Sequence, residues 1–256
     1  MNEYLKAIFS IISGGILWEG FKFFYPDIKK IFCHRIDAKN TLYENLDSIL
    51  KSASELLGKL ESLAKEDFAT FVNQSNSNSI NPEHNKKYII YLFAQFWAQL
   101  EYVRLKSQYN SLAKIKKGKE LLAFIDTIES RDFRIIDRSI QRIIGESLIT
   151  NSTQKFKIMT LNEFMIEYAK TDSSIAIWGK KLEDKLKSVD NKETRQTILL
   201  FGVIINMFIN HFDPKHRSVR ERIVYKNKLS LKSKKLIKYR LLSHYLNFIK
   251  CKKDYY

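Results

Sequence analysis

Glycine and proline are scarce in this sequence, and cysteine is almost absent. The 256 residues include 8 Gly, 3 Pro and 2 Cys, while Lys, Leu, Ile and Glu fill long runs. With so few turn formers and helix breakers, the composition predicts an all-α protein. Cys33 and Cys251 are far apart in the chain, which argues against a disulfide framework and against a zinc site. Hydrophobic residues make up 45% of the chain, enough for a sizeable core and too many for a disordered chain.

Common catalytic signatures are also missing. The sequence contains no glycine-rich phosphate-binding loop, no HExxH or GxSxG motif, and no cysteine–histidine cluster at metal-ligand spacing. His211 and His216 flank Asp213. Positive charge after a helix C-terminus explains that placement more simply than a metal or acid–base site does. We therefore predict that the protein is not an enzyme and has no catalytic residue, metal site or cofactor.

Charged residues are absent from a long N-terminal stretch, between Ala7 and Trp18. As a helix, the segment Tyr4–Tyr25 would extend roughly 33 Å, enough to cross a hydrocarbon layer of ~30 Å. Basic side chains gather between residues 29 and 35, so the positive-inside rule places the body of the chain in the cytoplasm. Residues 1–25 are thus predicted to be a single-pass anchor in the cell membrane. A cleaved signal peptide and a buried amphipathic helix are the alternatives, since the uninterrupted apolar core is only about 12 residues long.

Acidic residues are nearly absent from the last sixth of the chain. Of the formal net charge of +16, Lys215–Lys253 contributes +13, from fourteen Lys and Arg against the single acid Glu221. Such asymmetry indicates an anionic partner, either lipid headgroups or nucleic acid. Within this basic segment, 215–256, apolar residues at helical spacing predict a basic amphipathic helix over Ser233–Lys250. The alternative is a terminal bundle helix with a solvated basic face.

Helical periodicity organises the rest of the chain. We predict a long stalk helix in residues 26–72, a polar linker in residues 73–87 and a helical bundle in residues 88–256. The stalk carries a heptad seam formed by Leu42, Leu46, Ile49, Ala53, Leu56, Leu60 and Leu63. Such a seam indicates either a coiled coil between copies of the protein, hence a homo-oligomer, or an ordinary helix packed in its own bundle.

Further helices are predicted in the bundle, with a polar turn over residues 151–155. They cover residues 88–112, 117–130, 132–150, 161–168, 175–187 and 194–212. The segment 194–212 is almost uncharged, but Asn206, Asn210 and His211 would be costly facing lipid. We therefore predict that this segment is the central helix of the bundle, and its entry into the membrane is the alternative.

Three arginines recur at intervals of four in the predicted helix 132–150. Arg134, Arg138 and Arg142 would project from one face and repel one another. Isoleucines occupy much of the remaining circumference, so the helix must be packed, and Gly145 allows a neighbouring helix to approach closely. The arginines therefore need counter-charges. These are either Glu101, Asp137 or Glu146 in an internal network, or an external phosphate, which suits the forked guanidinium group.

Two groups of residues carry a resemblance to a known family. They are Tyr91–Phe96 with Glu101 and Arg104, and Phe133-Arg134 with Arg138, Gln141-Arg142 and Gly145-Glu146. These residues resemble a widespread family of small prokaryotic proteins with one N-terminal membrane helix and a helical cytoplasmic domain. The ending Phe212-Asp213-Pro214 is also similar, so the resemblance spans roughly residues 1–217. The chain also looks like the membrane effectors that accompany short Argonaute proteins in antiviral defence. That resemblance implies a basic pocket for anionic phospholipid, membrane depolarisation that kills the infected cell (abortive infection), and an Argonaute-containing complex as partner.

These observations predict a membrane-anchored effector that binds anionic phospholipid headgroups through a basic surface. We expect a specific headgroup site at Arg134, Arg138 and Arg142. The remaining candidate headgroup-binding residues, most of them in the basic C-terminal segment, are Arg104, Lys106, Arg217, Arg220, Arg222, Lys234, Lys235 and Lys238. The alternative function is a membrane-tethered adaptor that binds nucleic acid or a nucleoprotein through the basic C-terminus.

Overall fold

A computed structural model describes residue 29 and residues 36–40, 42–72, 82–106, 112–152, 155–223 and 225–256. The predicted anchor, residues 1–25, lies outside these ranges, as does most of the predicted linker. Most of the described chain is helical, as the scarcity of glycine and proline predicts. None of its helices combines the length and the apolar character that a membrane crossing requires.

The first half of the described chain contains the helices α1 to α5 and one hairpin. Residues 36–40 are helical, and residues 42–65 form α1. The helices that follow are α2 (Ala69–Val72), α3 (Pro82–Leu105), α4 (Lys116–Glu129) and α5 (Arg138–Ser147). The antiparallel strands β1 (Ile149–Ser152) and β2 (Lys155–Ile158) come next, paired so that Ile149 faces Ile158.

The second half contains four helices and a π-helical segment. The helices are α6 (Leu161–Tyr168), α7 (Ser174–Lys187), α8 (Lys192–Phe212) and α9 (Leu231–Leu236). The π-helix Ile237–Tyr245 continues α9 directly. Short 3₁₀ turns cover Ser188–Asp190, Lys226–Lys228 and Lys252–Tyr255.

The apolar seam of α1 is buried within the chain itself. All seven seam residues belong to the core, as do Leu50, Leu57 and Ala64, which widen the apolar stripe. This burial matches the alternative of an ordinary bundle helix, because the seam already packs against the chain's own side chains.

The predicted stalk helix does not run unbroken to residue 72. A turn at 66–68 interrupts it, with Asp67 and Phe68 at φ angles of 50° and 63°, a left-handed region that non-glycine residues seldom adopt. The turn returns the Phe68 ring to the core, where the residue is 1% exposed. The Lys228 ammonium binds the carboxylate of Asp67 at 2.7 Å and also the Ala64 carbonyl. A lysine from the basic segment thus caps the end of α1.

Two other helix predictions are wrong at their boundaries. Helix α3 begins at Pro82, six residues before the predicted start, and ends at Leu105 instead of Leu112. Proline favours the first turn of a helix, where its missing N–H needs no partner. The predicted helix 132–150 starts only at Arg138, because Asp137 caps it by accepting from the backbone N–H of Ser139 at 2.9 Å. The predicted polar turn, residues 151–155, falls in the β1–β2 hairpin.

The prediction for α8 as the central helix is confirmed. An unbroken run from Ile198 to Ile209 is buried. Phe201 is fully buried, and its ring centre lies 5.7 Å from that of Phe93 and 6.4 Å from that of Phe96 in α3. Leu57 and Leu60 of α1 pack at Gly202, and the ring centre of Phe124 in α4 lies 5.4 Å from that of Phe208. Side chains from α1, α3 and α4 therefore pack against α8.

The C-terminal helix is shorter than predicted, since it spans Leu231 to Tyr245 and becomes π-helical at Ile237. Ile237 and Leu241 are fully buried, whereas Lys235 and Lys238 are exposed. Leu246 leaves the helical region at φ −121°, and its buried side chain continues the packing. This arrangement is that of a terminal bundle helix with a solvated basic face.

Candidate functional site

Three arginines meet at one buried carboxylate, that of Glu129. Its oxygens lie 2.7 Å from Arg104 Nη2, 2.7 Å from Arg138 Nε and 2.8 Å from Arg142 Nη2. Arg142 also approaches through Nε at 3.3 Å, which makes its contact bidentate. The Glu129 side chain is 6% exposed. Arg104 further bonds to the buried Glu101, so five charged side chains form one network, which we call the Glu129 network.

Three helix ends place these residues together. Glu129 is the last residue of α4, Arg104 lies in the last turn of α3, and Arg138 opens α5. Helices α3 and α5 pack closely at Gly145, where an added Cβ would come within 2.9 Å of the Trp97 backbone carbon. The predicted role of Gly145 in a close helix contact is thus confirmed.

Burial and the arginines shift the pKa values of Glu129 and Glu101 in opposite directions. Burial favours a higher pKa for Glu129, but hydrogen bonds from Arg142 and Arg104 outweigh it and hold the pKa below the ordinary value. For Glu101, burial dominates and raises the pKa, although Arg104 opposes it. Glu129 is therefore the firmly ionised centre of the network.

No protein-family model, curated protein or solved structure matches the chain. Among the residues that the structure describes, no group of three or more His, Cys, Asp or Glu side chains is placed to hold a metal ion. The function must therefore be inferred from the geometry of the described side chains.

The prediction that three arginines project from one helix face is wrong for Arg134. This residue precedes α5, and its Nη2 pairs with Asp137 Oδ2 at 3.2 Å. Only Arg138 and Arg142 share a face of α5, and both bind Glu129. The structure thus contains the internal carboxylate network, one of the two alternatives that the spacing left open.

The central acid of that network was not among the predicted counter-charges. Glu101 takes part through Arg104, whereas Glu146 is exposed and makes no ion pair with any described residue. One local signal did point to Glu129, because an acid in the last turn of a helix opposes the helix dipole and needs a cation nearby. Which cation it meets depends on how α3, α4 and α5 pack.

The other candidate residues lie in two different settings. Arg222 covers Gly58 of α1 and lies 3.5 Å from Glu61, with its side chain only 28% exposed. Lys106 is exposed and stands 4.2 Å from the Tyr102 ring centre. Four of the remaining candidates are exposed, namely Arg217, Arg220, Lys235 and Lys238, and Lys234 is half-buried. None of the five makes an ion pair with a described acid.

Asp213 orders the loop that carries two of these cations. Its carboxylate accepts hydrogen bonds from the backbone N–H groups of Arg217, Ser218 and Val219 at 2.9, 2.8 and 3.1 Å. Burial opposes its ionisation, yet these three donors hold the pKa of Asp213 below the ordinary value. The Phe212-Asp213-Pro214 ending therefore has a structural function, which is to terminate α8 and fix the loop that follows.

His211 gives a testable dependence of stability on pH. Burial lowers its pKa below the ordinary 6.5, although a 2.8 Å hydrogen bond to Glu120 opposes that shift. Below pH 6.5 His211 is therefore protonated more readily in the unfolded chain than in the folded chain. The free energy of unfolding then falls as the pH decreases. Urea unfolding at about pH 7 and about pH 5.5 should show a smaller fall for His211→Gln than for the parent chain. His244→Gln changes an exposed histidine, and its stability should fall by as much as that of the parent chain. If stability falls equally in all three proteins, His211 is not the source of the pH dependence.

Proposed function

We propose that the protein is a membrane-anchored, helical effector whose basic C-terminal surface binds anionic phospholipid headgroups. In this proposal residues 1–25 hold the chain at the cell membrane, and headgroup binding leads to disruption or depolarisation of the bilayer. A role in antiviral defence, with an Argonaute-containing complex as partner, is the biological setting that the resemblance suggests. The observation that carries the proposal is the group of exposed cations beyond α8 that form no ion pair with a described residue.

These cations differ from the arginines around Glu129. Within the described residues the following are exposed and form no ion pair: Lys215, Arg217, Arg220, Lys235, Lys238, Lys250, Lys252 and Lys253. Each cation near an anionic bilayer contributes on the order of 1 kcal/mol of attraction. Arg138 and Arg142, in contrast, would have to leave a buried carboxylate, and breaking a buried pair costs about 3–5 kcal/mol. The solvent-facing surface is therefore the better candidate for headgroups.

Vesicle binding tests this surface directly. We expect the triple change Arg220→Gln, Lys235→Gln and Lys238→Gln to weaken binding to phosphatidylglycerol vesicles by up to about 100-fold, because three charges contribute about 3 kcal/mol. Co-sedimentation at about 0.1 M salt measures the partition coefficient, and added salt should weaken it further.

The matched control removes the same charge from cations that already have partners. Lys51, Lys170 and Lys180 pair with Asp47, Glu167 and Glu183, and changing all three to Gln should alter vesicle binding only slightly. Equal losses in the two triple variants would refute a localised headgroup surface.

In cells, depolarisation by the full chain should disappear when residues 1–25 are deleted, and its persistence would refute the anchor.

One observation favours the adaptor function as a second candidate. Tyr239 is 59% exposed, and Lys238 Nζ lies 4.9 Å from its ring centre. An exposed ring beside a cation suits stacking on a nucleic-acid base. A short single-stranded DNA that displaces the protein from vesicles, and binds it without them, would favour the adaptor.

A further inference from the structure

A basic groove lies between the start of α4 and the end of the π-helix. Its volume is about 510 Å³. Lys114, Lys116 and Lys119 line one side, and Tyr245 and Phe248 line the other. This groove is formed by residues that the headgroup surface does not include.

The lysines of the groove have no counter-charge in the described part of the chain. Glu120 is the one acid among the described residues that line the groove, and it already contacts His211 at 2.8 Å and Lys117 at 3.2 Å. Lys114, Lys116 and Lys119 form no ion pair with a described residue. Lys116 and Lys119 also lie three residues apart on one helix, a spacing at which like charges repel. A bound anion would relieve that repulsion.

The backbone that carries the lysines is held in place. An added Cβ at Gly118 would lie 2.1 Å from the Leu112 carbonyl oxygen, so the turn before α4 packs directly on its first residues. The Ile115 N–H donates to the same carbonyl at 3.1 Å. The N-cap residue, Ile115, has an apolar side chain that cannot accept a capping hydrogen bond, and the first turn of the helix holds no acid. The helix dipole therefore adds to the positive potential of the lysines.

The aromatic side is held in place as well. The Phe248 ring centre lies 5.8 Å from that of Phe124 and 5.1 Å from that of His211. The Tyr245 hydroxyl donates to Asp132 at 3.2 Å. Because both residues are fixed by other contacts, a ligand would meet a preformed wall and lose less free energy to ordering.

We infer that this groove binds a nucleotide, with its phosphates at the lysines and its base against the wall of Tyr245 and Phe248. Pockets for such ligands measure about 300–1,000 Å³, which includes the volume found here. Lysines bind phosphate as point charges, and aromatic rings stack with any base. Asn247 also lines the groove, and its amide can both donate to and accept from a base edge. This inference does not depend on the proposed lipid function.

Calorimetry on the full-length protein tests the site with ATP as the probe. We expect saturable binding that weakens at least tenfold when Lys116→Gln and Lys119→Gln are combined. The matched control combines Lys235→Gln with Lys238→Gln, which removes the same charge from the C-terminal surface and should change ATP affinity less than twofold. Both pairs are exposed, so circular dichroism should show unchanged folds.

Two further ligands show whether the groove recognises a nucleotide, a phosphate chain alone or a lipid headgroup. Tripolyphosphate should bind at least tenfold more weakly than ATP, because it lacks the base. Dihexanoyl phosphatidylglycerol, a lipid below its micelle concentration, should not displace ATP. The inference is overturned if ATP gives no saturable heat, or if the two double variants lose ATP affinity equally. It is also overturned if tripolyphosphate binds as tightly as ATP, or if the lipid displaces ATP.

Discussion

Glu129→Gln is expected to lower the free energy of unfolding by about 3 kcal/mol, the lower end of the range for breaking a buried ion pair. The substitution keeps the size of the side chain but removes its charge. The guanidinium groups of Arg104, Arg138 and Arg142 would then surround a neutral amide, at a position where the Glu129 side chain is 6% exposed. The lower end applies because the arginine side chains are 23%, 50% and 31% exposed, so that water screens their mutual repulsion.

Thermal and urea unfolding measure this loss. For a chain of this size, 1 kcal/mol corresponds to about 2–4 °C, so the melting temperature should fall by roughly 6–12 °C. Glu146→Gln is the matched control, because Glu146 is exposed and its substitution should change stability by less than about 0.5 kcal/mol.

A second-site change makes the test specific to charge. In the Glu129→Gln variant Arg104 keeps its ion pair with Glu101, whereas Arg138 and Arg142 lose the carboxylate that they share. Adding Arg138→Gln removes one of these two cations, so the double variant should be more stable than Glu129→Gln alone. If the single variant unfolds like the parent, or if the double variant is no better than the single one, the Glu129 network does not stabilise the fold.

Phe201→Ala should destabilise the protein by about 3–5 kcal/mol, the usual cost of removing a buried aromatic ring. Phe201 is fully buried at the centre of α8, and its ring contacts Phe93 and Phe96 of α3. Truncation removes these contacts, and the neighbouring rings cannot fill the cavity without moving. The loss should appear as a lower urea midpoint with an unchanged slope.

The control for this change is Ile177→Ala. Ile177 lies on α7 and is 48% exposed, so its truncation should cost less than about 1 kcal/mol. A loss below about 1 kcal/mol for Phe201→Ala would mean that α8 does not form the core of the bundle.

The sequence alone determined the helical class and much of the core. Few glycines and prolines leave long stretches without breakers, and local propensity then favours helices. The uncharged run in α8 and the seam in α1 predicted burial because apolar side chains at helical spacing must face a core. Boundaries were less predictable, since the Asp137 cap and the Phe68 turn depend on hydrogen bonds that compete with helix continuation.

Only the tertiary structure decided which charges meet. Glu129 and Arg104 are 25 residues apart, and Lys228 lies 161 residues from Asp67, so no local spacing relates them. The packing of α3, α4 and α5 converted a predicted row of arginines into the Glu129 network. The return of the C-terminal segment placed Tyr245 and Phe248 beside Lys116 and formed the groove. Local periodicity specifies which face of a helix is buried, but partners across helices are fixed by how those helices pack.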